Sequence, residues 1–319
     1  MIDKLSYIFN EVRKNYDDSY WWHMRFENRV VGPVQQRVYG NDGIDVMEED
    51  WDSLLVIDAC RADIFEDTVD LTQFDDYRVV TSKASATPEW MERTFEGRKF
   101  GDTAYVSANP WVSKIAPDSF NQIYNIWLDE HDILQTEIAE VEVLEELGFD
   151  FGATITADKV DAKALQAAEE RPNKRLIAHY FQPHAPYVGN PDGTEKENAE
   201  TIHPGEPLKR GETTKEAVWR AYRENLEYVM EHALEVAHEL PGKTVITSDH
   251  GELFGERLWP FPIRGYAHPR ALRLPAITRV PWAVIDSGDR PEIIDDGIQA
   301  TNVDRTEVNE RLRDLGYAE

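Results

Sequence analysis

The sequence predicts an α/β protein with a mostly parallel central sheet that is flanked by helices on both faces. Short apolar runs alternate with amphipathic helical patterns along the 319 residues, which is typical of strands that alternate with helices. The first run, residues 54–57, is continuously apolar, as expected for a parallel strand buried on both faces. A chain of this length can bury a substantial core without disulfides.

The individual elements are predicted in chain order. Residues 1–50 form a helical lead-in rich in aromatic residues, including Trp22 and Phe26, which we expect to be buried against a main domain of residues 51–319. Strands are predicted at residues 54–57, 103–106, 176–181, 244–246 and 282–285. Helices are predicted at residues 137–147, 159–170, 214–240 and 303–315. The polar segment 190–211 is predicted to be an exposed loop.

The charge balance is strongly acidic. The chain has 61 acidic and 34 basic residues, a formal net charge of -27. Because the acidic residues are spread along the chain, the excess belongs to the whole surface and is typical of proteins that stay soluble in molar salt. We therefore predict a halophilic protein. No basic stripe is present to replace counterions, so nucleic acid is not an expected partner.

The cysteine content and the lack of a recognisable leader or membrane span predict the cellular compartment. The single cysteine, Cys60, has no intramolecular partner, which favours a reducing compartment. No secretory leader and no apolar run of membrane-spanning length is recognisable. A cytoplasmic protein without a membrane span is therefore expected.

Ionisable side chains recur where the predicted strands end. Asp249 and His250 follow the strand at 244–246, and a carboxylate beside an imidazole offers two ligands for a divalent cation. Asp58 ends the first strand, His184 follows the third, and His268 lies before the last. Each of these residues also fits an ordinary turn or loop when taken alone. Their recurrence at one edge of a parallel sheet favours a site.

These motifs resemble the sulfatase-like branch of the alkaline phosphatase superfamily, in a halophilic archaeal form. The resemblance covers the chain from about Trp51 to its end, in the order of the family, and implies an alkaline-phosphatase-like catalytic domain at residues 51–319. It is carried by residues 55–63, 182–187, 222–229, 248–256, 268, 279–282 and 312–317.

The resemblance also implies a ligand set and a nucleophile. Asp58, Asp249 and His250 would hold the metal, with the nucleophile as a further ligand at a helix N-terminus. Thr87 is favoured as that nucleophile because Pro88 would make it the N-cap of the helix, although Ser85 is the alternative; both residues also fit ordinary capping.

The chemistry of these ligands limits which metal ion the site would bind. Zinc or manganese is favoured over calcium or magnesium, because imidazole suits borderline metals. Ala59 and Gln182 stand where the family often has aspartates, which favours a single metal. His184 and His268 would then bind phosphoryl oxygens or protonate the leaving group.

The sequence favours phosphate over sulfate esters. Sulfatases need a cysteine or serine in a Cys-x-Pro-x-Arg context, and Cys60 is not in one. We predict a phosphoester hydrolase that forms a phosphothreonine and acts on a small-molecule or on a glycan- or lipid-linked ester. One alternative is a phosphotransferase acting on a glycan or lipid; another is a non-catalytic metal-binding or interaction protein. Arg61 and Asn109 are weaker candidates for orienting substrate, and the oligomeric state is not predicted.

Overall fold

The central feature of the fold is a seven-stranded sheet. The computed structural model describes residues 19–128, 155–185, 187, 205–299 and 305–314, together with Arg13 and Tyr16. The strands are β1 (Ser53–Asp58), β2 (Asp76–Thr81), β3 (Phe100–Ser107), β4 (Phe120–Asn125), β5 (Arg175–Pro183), β6 (Lys243–Thr247), β7 (Leu253–Arg257), β8 (Arg264–Ala267) and β9 (Arg279–Asp286). Their order in the sheet is β2-β9-β6-β1-β5-β3-β4, and β7 and β8 form a separate hairpin.

The sheet is mostly parallel, and the predicted α/β class is confirmed. Strand β1 lies in the middle, parallel to β5 and to β6, and β3 is parallel to both β4 and β5. Only β9 breaks the pattern, because it runs antiparallel to β6 and to the edge strand β2. All six residues of β1 are buried, which explains the continuous apolar run in the sequence.

Helices cover both faces of the sheet. They are α1 (Ser19–Phe26), α2 (Gly32–Tyr39), α3 (Ala62–Thr68), α4 (Thr87–Thr94), α5 (Trp111–Ile115), α6 (Ala157–Glu170), α7 (Gly205–Arg210), α8 (Lys215–Glu239), α9 (Pro275–Thr278) and α10 (Arg305–Asp314). Leu55 and Ile57 of β1 face the core that contains α3, α6, α8 and α10, whereas Leu54 and Val56 face the core that contains α4 and α5. Successive residues of a strand point to opposite faces, so one short strand contributes to both cores.

Most of the predicted elements are found. The helices predicted at 159–170, 214–240 and 303–315 correspond to α6, α8 and α10, and the five predicted strands correspond to β1, β3, β5, β6 and β9. The helix predicted at 137–147 lies outside the described residues. The predicted loop at 190–211 is wrong at its end, because Gly205–Arg210 is helical; the earlier part is not described.

Four strands, β2, β4, β7 and β8, are absent from the sequence prediction. Strands β2 and β4 are edge strands with several polar residues, so their apolar pattern is too weak to separate them from loops. The β7–β8 hairpin lies between Asp249-His250 and the last strand, and its arginines and prolines resemble a loop. Within the described residues, no helix combines the length and the apolar character needed to cross a bilayer.

The lead-in packs on the β7–β8 hairpin and remains partly exposed. Helices α1 and α2 are joined by a π-helical turn, Glu27–Val31. The ring of Phe26 lies edge-on to Phe261 at 5.3 Å. Trp22 and Phe26 nevertheless keep 45% and 37% of their surface exposed, so the expected burial of these aromatic residues is incomplete.

Glu27→Gln is expected to remove a pH-dependent loss of stability. Glu27 is buried, and this burial raises the pKa of its carboxyl from 4.5 to about 8 against the opposing charge of Lys209. The folded protein thus keeps a proton that the unfolded chain releases, so wild-type stability falls as the pH rises from 4.5 to about 8 and is level above that range. Denaturant unfolding at several pH values should show a pH-dependent change in the free energy of unfolding of wild type, on the order of 5 kcal/mol in total, that the variant lacks.

The neighbours of Glu27 define what would contradict this expectation. The His23 ring faces the same carboxyl, because its Nε2 lies 3.0 Å from Glu27 Oε1. If Glu27→Gln keeps the wild-type slope, the pH dependence arises from His23 or from other groups, and Glu27 is not its source.

Candidate metal centre

Two neighbouring parallel strands bring three ligand-type side chains together. Asp58 is the last residue of β1, and Asp249 and His250 follow β6, which pairs with β1 in the sheet. Because parallel strands end at the same edge, Ala59 and Asp249, which are 190 positions apart in the chain, meet there. One potential ligand atom from each residue lies within 4.8 Å of the other two, and all three side chains are fully buried.

Local hydrogen bonds orient these side chains towards one point. His250 Nδ1 lies 2.8 Å from the Gly251 carbonyl oxygen and donates to it, so the lone pair of Nε2 faces the centre. Asp249 Oδ1 accepts hydrogen bonds from the backbone N–H groups of Ala59 (3.1 Å) and His250 (2.9 Å). Ala59 reaches this position with a φ of 59°, a conformation that few non-glycine residues adopt.

The electrostatics of the centre fit a divalent cation. Asp249 Oδ2 is buried without a hydrogen-bond partner in the described part of the chain. Burial, and then the charge of Asp249, raise the pKa of the Asp58 carboxyl well above its usual range. Burial alone would also raise the pKa of Asp249, but the neighbouring His250 and His179 lower it below its usual value. No Lys or Arg of the described residues pairs with either carboxylate. Two buried carboxylates and an imidazole lone pair are a suitable donor set for zinc or manganese.

Thr87 is positioned against this centre. Its hydroxyl lies 3.2 Å from His250 Nε2 and 3.4 and 3.5 Å from the two carboxylate oxygens of Asp58. The prediction that Thr87 is the N-cap is wrong: Ala86 is the N-cap, and Thr87 is the first residue of α4. This shift leaves the hydroxyl free to face the two ligands, because it does not bond to the amides of its own helix.

Ser85 is engaged elsewhere. Its hydroxyl lies 3.1 Å from Glu89 Oε2 and 2.8 Å from the Pro269 carbonyl oxygen, and it accepts a hydrogen bond from the Leu272 N–H. No hydrogen bond to Asp58, Asp249 or His250 is formed by Ser85 among the described residues. Ser85 therefore holds the loop after β8 against α4.

A second group of ligand-type residues adjoins the first. His184, Glu252 and His268 each offer a ligand atom within 4.8 Å of the others. His184 Nε2 lies 2.9 Å from His268 Nε2, and the ring of His268 lies 4.8 Å from that of His250. Burial raises the pKa of Glu252 to about 8. The sequence analysis did not predict this group as a ligand set. It predicted a single metal because Ala59 and Gln182 stand where the family often has aspartates.

Glu252 was missed as a site residue, although its signal is visible in the sequence. It comes two residues after His250, in the same Ser248-Asp249-His250-Gly251-Glu252 run that carries the first ligands. A short loop after a strand can direct more than one side chain to the same edge of a sheet. His184 and His268 are brought together as predicted, but their chemical roles remain predictions.

Two further residues surround Asp58. Asn109, which follows β3, donates a hydrogen bond from Nδ2 to Asp58 Oδ2 at 3.1 Å, so it orients this candidate metal ligand. His179 on β5 has Nε2 3.9 Å from the same oxygen and Nδ1 2.8 Å from the Tyr105 hydroxyl. Burial lowers the pKa of His179 to about 4, so its ring is neutral. The sequence analysis missed His179, because a histidine inside an apolar strand is usually interpreted as a residue of the hydrophobic core.

Arg61 serves the framework around the site. Its guanidinium is buried and pairs with Asp63 Oδ2 at 2.7 Å and with Glu256 Oε1 at 2.8 Å. It also donates to the Glu252 carbonyl oxygen at 3.0 Å. Through these contacts Arg61 ties α3 to the hairpin.

Known proteins resemble this chain in structure and only remotely. No protein-family model and no curated protein matches it. Remote structural likeness is found to the integral membrane protein lipooligosaccharide phosphoethanolamine transferase A from Neisseria meningitidis (TM-score 0.46, 11% identity), covering 74% of this chain and 47% of that chain. This chain thus spans about half of that transferase.

Two other solved structures show a similar degree of likeness. A protein of the alkaline phosphatase superfamily from Vibrio parahaemolyticus has a TM-score of 0.41 and 12% identity over 80% of this chain and 65% of that chain. The phosphonate monoester hydrolase of Silicibacter pomeroyi has a TM-score of 0.38 and 14% identity over 82% of this chain and 72% of that chain. Likeness this remote does not identify a reaction for the present chain, so its function is inferred from the site.

Proposed function

We propose that this chain is a metal-dependent enzyme that cleaves or transfers phosphate esters, with Thr87 as the nucleophile. The observation that carries the proposal is the Thr87 hydroxyl, buried and within 3.2 to 3.5 Å of His250 and Asp58. A hydroxyl against a cluster of buried anionic and imidazole ligands is the arrangement that activates a weak nucleophile. Ser85 lacks these contacts, so Thr87 is favoured over Ser85.

The first chemical step forms a covalent intermediate on Thr87. A divalent cation held by Asp58, Asp249 and His250 would polarise a phosphoryl oxygen and favour the deprotonated form of a nearby hydroxyl. Thr87 Oγ1 releases its proton to solvent water and attacks phosphorus, and its bond to phosphorus forms as the bond to the leaving oxygen breaks. Asn109 keeps Asp58 in position through its hydrogen bond to Oδ2.

The paired histidines handle the proton of the leaving group. His184 Nδ1 donates to the Ala185 carbonyl oxygen, so its Nε2 faces His268 Nε2 as an acceptor. The proton between these two nitrogens can pass to the leaving oxygen, and the pair can recover a proton from the second nucleophile. Water in that step gives hydrolysis, whereas a glycan or lipid hydroxyl gives transfer. In either case the Oγ1–P bond breaks and Thr87 is regenerated.

Elemental analysis followed by an ester screen tests this function. The purified chain should bind about one or more equivalents of zinc or manganese per molecule and should cleave phosphate mono- or diesters faster than sulfate esters. Product analysis with and without a glycan or lipid acceptor separates transfer from hydrolysis. A chain that binds no metal and cleaves no ester would instead support the non-catalytic interaction protein. The cytoplasmic location and the halophilic habitat stay predictions.

A further inference from the structure

The exposed apolar side chains of this protein are concentrated in one region. Of the nine large hydrophobic residues that are exposed in the described chain, seven lie in the lead-in or on the β7–β8 hairpin. Five of these are aromatic and keep between 37% and 71% of their surface exposed: Tyr16, Trp22, Phe26, Tyr39 and Trp259. Single exposed apolar residues scattered over a surface are ordinary, whereas a cluster of them indicates a surface that contacts a partner.

The lead-in and the hairpin form one packed unit. The Tyr39 ring lies edge-on to Trp259 at 5.9 Å, and the Gln35 side chain donates to the Trp259 carbonyl oxygen at 2.8 Å. His23 Nε2 lies 3.0 Å from the Arg264 carbonyl oxygen. We refer to the exposed side chains of residues 22–39 and 257–264 as the aromatic-arginine region.

The charge of this region is opposite to that of the protein. Residues 257–273 contain four arginines and no acidic residue, and residues 19–40 contain three arginines and one acid, Glu27, which is buried. The whole chain, by contrast, has 61 acidic against 34 basic residues. Arg29, Arg37, Arg257 and Arg264 are exposed, and none of them pairs with a carboxylate in the described part of the chain.

Exposed aromatic rings interspersed with unpaired arginines match the interface of an anionic bilayer. Trp and Phe side chains insert at the level of the lipid headgroups, while arginines pair with the lipid phosphates. A nucleic acid would need a continuous basic stripe, which the aliphatic Val30 and Val38 interrupt. We propose that the aromatic-arginine region docks this protein on the surface of an anionic membrane.

The net charge of the protein would set its orientation on the membrane. At -27 overall, most of the surface is repelled by anionic lipid, so the positively charged region is the part that can approach. The hairpin also connects this region with the site, because β7 starts one residue after Glu252 and β8 ends one residue before His268. A strand of this length spans roughly 17 Å, so docking would place the site about one hairpin length from the bilayer.

Vesicle co-sedimentation of the full chain tests the proposal. We expect binding to phosphatidylcholine vesicles that contain phosphatidylglycerol, little binding to phosphatidylcholine alone, and weaker binding as salt is raised. The double variant Arg29→Gln/Arg37→Gln should weaken binding by roughly fivefold for each arginine removed. Trp22→Ser/Trp259→Ser should weaken it by about tenfold or more.

Matched controls carry the same changes elsewhere on the surface. Leu128→Ser/Ile294→Ser removes two hydrophobic side chains that are exposed to 41% and 42%, outside the region. Arg78→Gln removes an arginine that is paired with Glu49 at 2.6 Å. Both controls should bind vesicles as wild type does. The proposal is overturned if wild type does not bind anionic vesicles, or if the controls weaken binding as much as the test variants. It is also overturned if wild type self-associates without lipid and the tryptophan variant does not, because the region would then be an interface between two copies of the chain.

The docking proposal and the proposed function can fail separately. The substituted residues touch none of the side chains that form the metal centre, so cleavage of a water-soluble aryl phosphate should be unchanged in the docking variants. Conversely, a chain without esterase activity would still be expected to bind anionic vesicles.

Discussion

Thr87→Ala is expected to abolish turnover of an aryl phosphate, with a loss of about 10³-fold or more in kcat. The substitution removes the hydroxyl that lies against both Asp58 and His250, so the covalent intermediate on Thr87 cannot form. Metal content should fall only in part, because Asp58, Asp249 and His250 remain. Steady-state kinetics and elemental analysis on the same preparation check both parts of this expectation.

Three comparisons make the Thr87 test decisive. Thr87→Ser keeps a hydroxyl and should retain activity within about 100-fold of wild type. Ser85→Ala removes a neighbouring hydroxyl that is bonded to Glu89 and Pro269, and it should change activity by less than about tenfold. Trapping of a phosphorylated peptide that contains residue 87 would identify the intermediate directly. Full activity of Thr87→Ala would contradict the assignment, and loss on Ser85→Ala alone would transfer it to Ser85.

The sheet was predictable because its central strands are apolar throughout. Each residue of β1 packs into a core on one face or the other, so the strand is visible in the sequence without knowledge of its neighbours. The edge strands β2 and β4 carry polar, partly exposed residues, and the pairing partner of β2, strand β9, is remote in the chain. Local pattern carries little information about such strands.

The ligands of the candidate site were predictable for a related reason. Asp58, Asp249 and His250 follow strands that the sequence shows clearly, and parallel strands end at one edge. The details of the site depend on contacts that no local pattern encodes. The Thr87 hydroxyl faces His250 because α4 starts one residue earlier than expected, and His179 reaches Asp58 only through the pairing of β1 with β5. The sequence therefore predicts the candidate ligands but not the contacts that orient them.

Asp249→Asn is expected to separate metal binding from the stability of the metal-free protein. The amide keeps an oxygen that can accept the Ala59 and His250 N–H bonds, but it removes the charge that opposes the buried Asp58. Without metal, the variant should therefore unfold at a higher temperature than wild type. The like-charge repulsion that burial intensifies in the wild-type protein is absent from the variant.

Added metal should reverse this order of stability. Zinc or manganese at about 100 times its dissociation constant should stabilise wild type by about 2.7 kcal/mol, whereas Asp249→Asn should gain little. Thermal unfolding with and without metal measures both effects, and Asp70→Asn on the fully exposed acid Asp70 is the control that should respond as wild type does. Equal stabilisation of wild type and Asp249→Asn by metal would show that the cation binds elsewhere. A lower melting temperature of the metal-free variant would show that the hydrogen bonds of Asp249 outweigh its repulsion of Asp58. The expected reversal, in which the variant is more stable without metal and wild type is more stable with metal, requires the two carboxylates to share one cation.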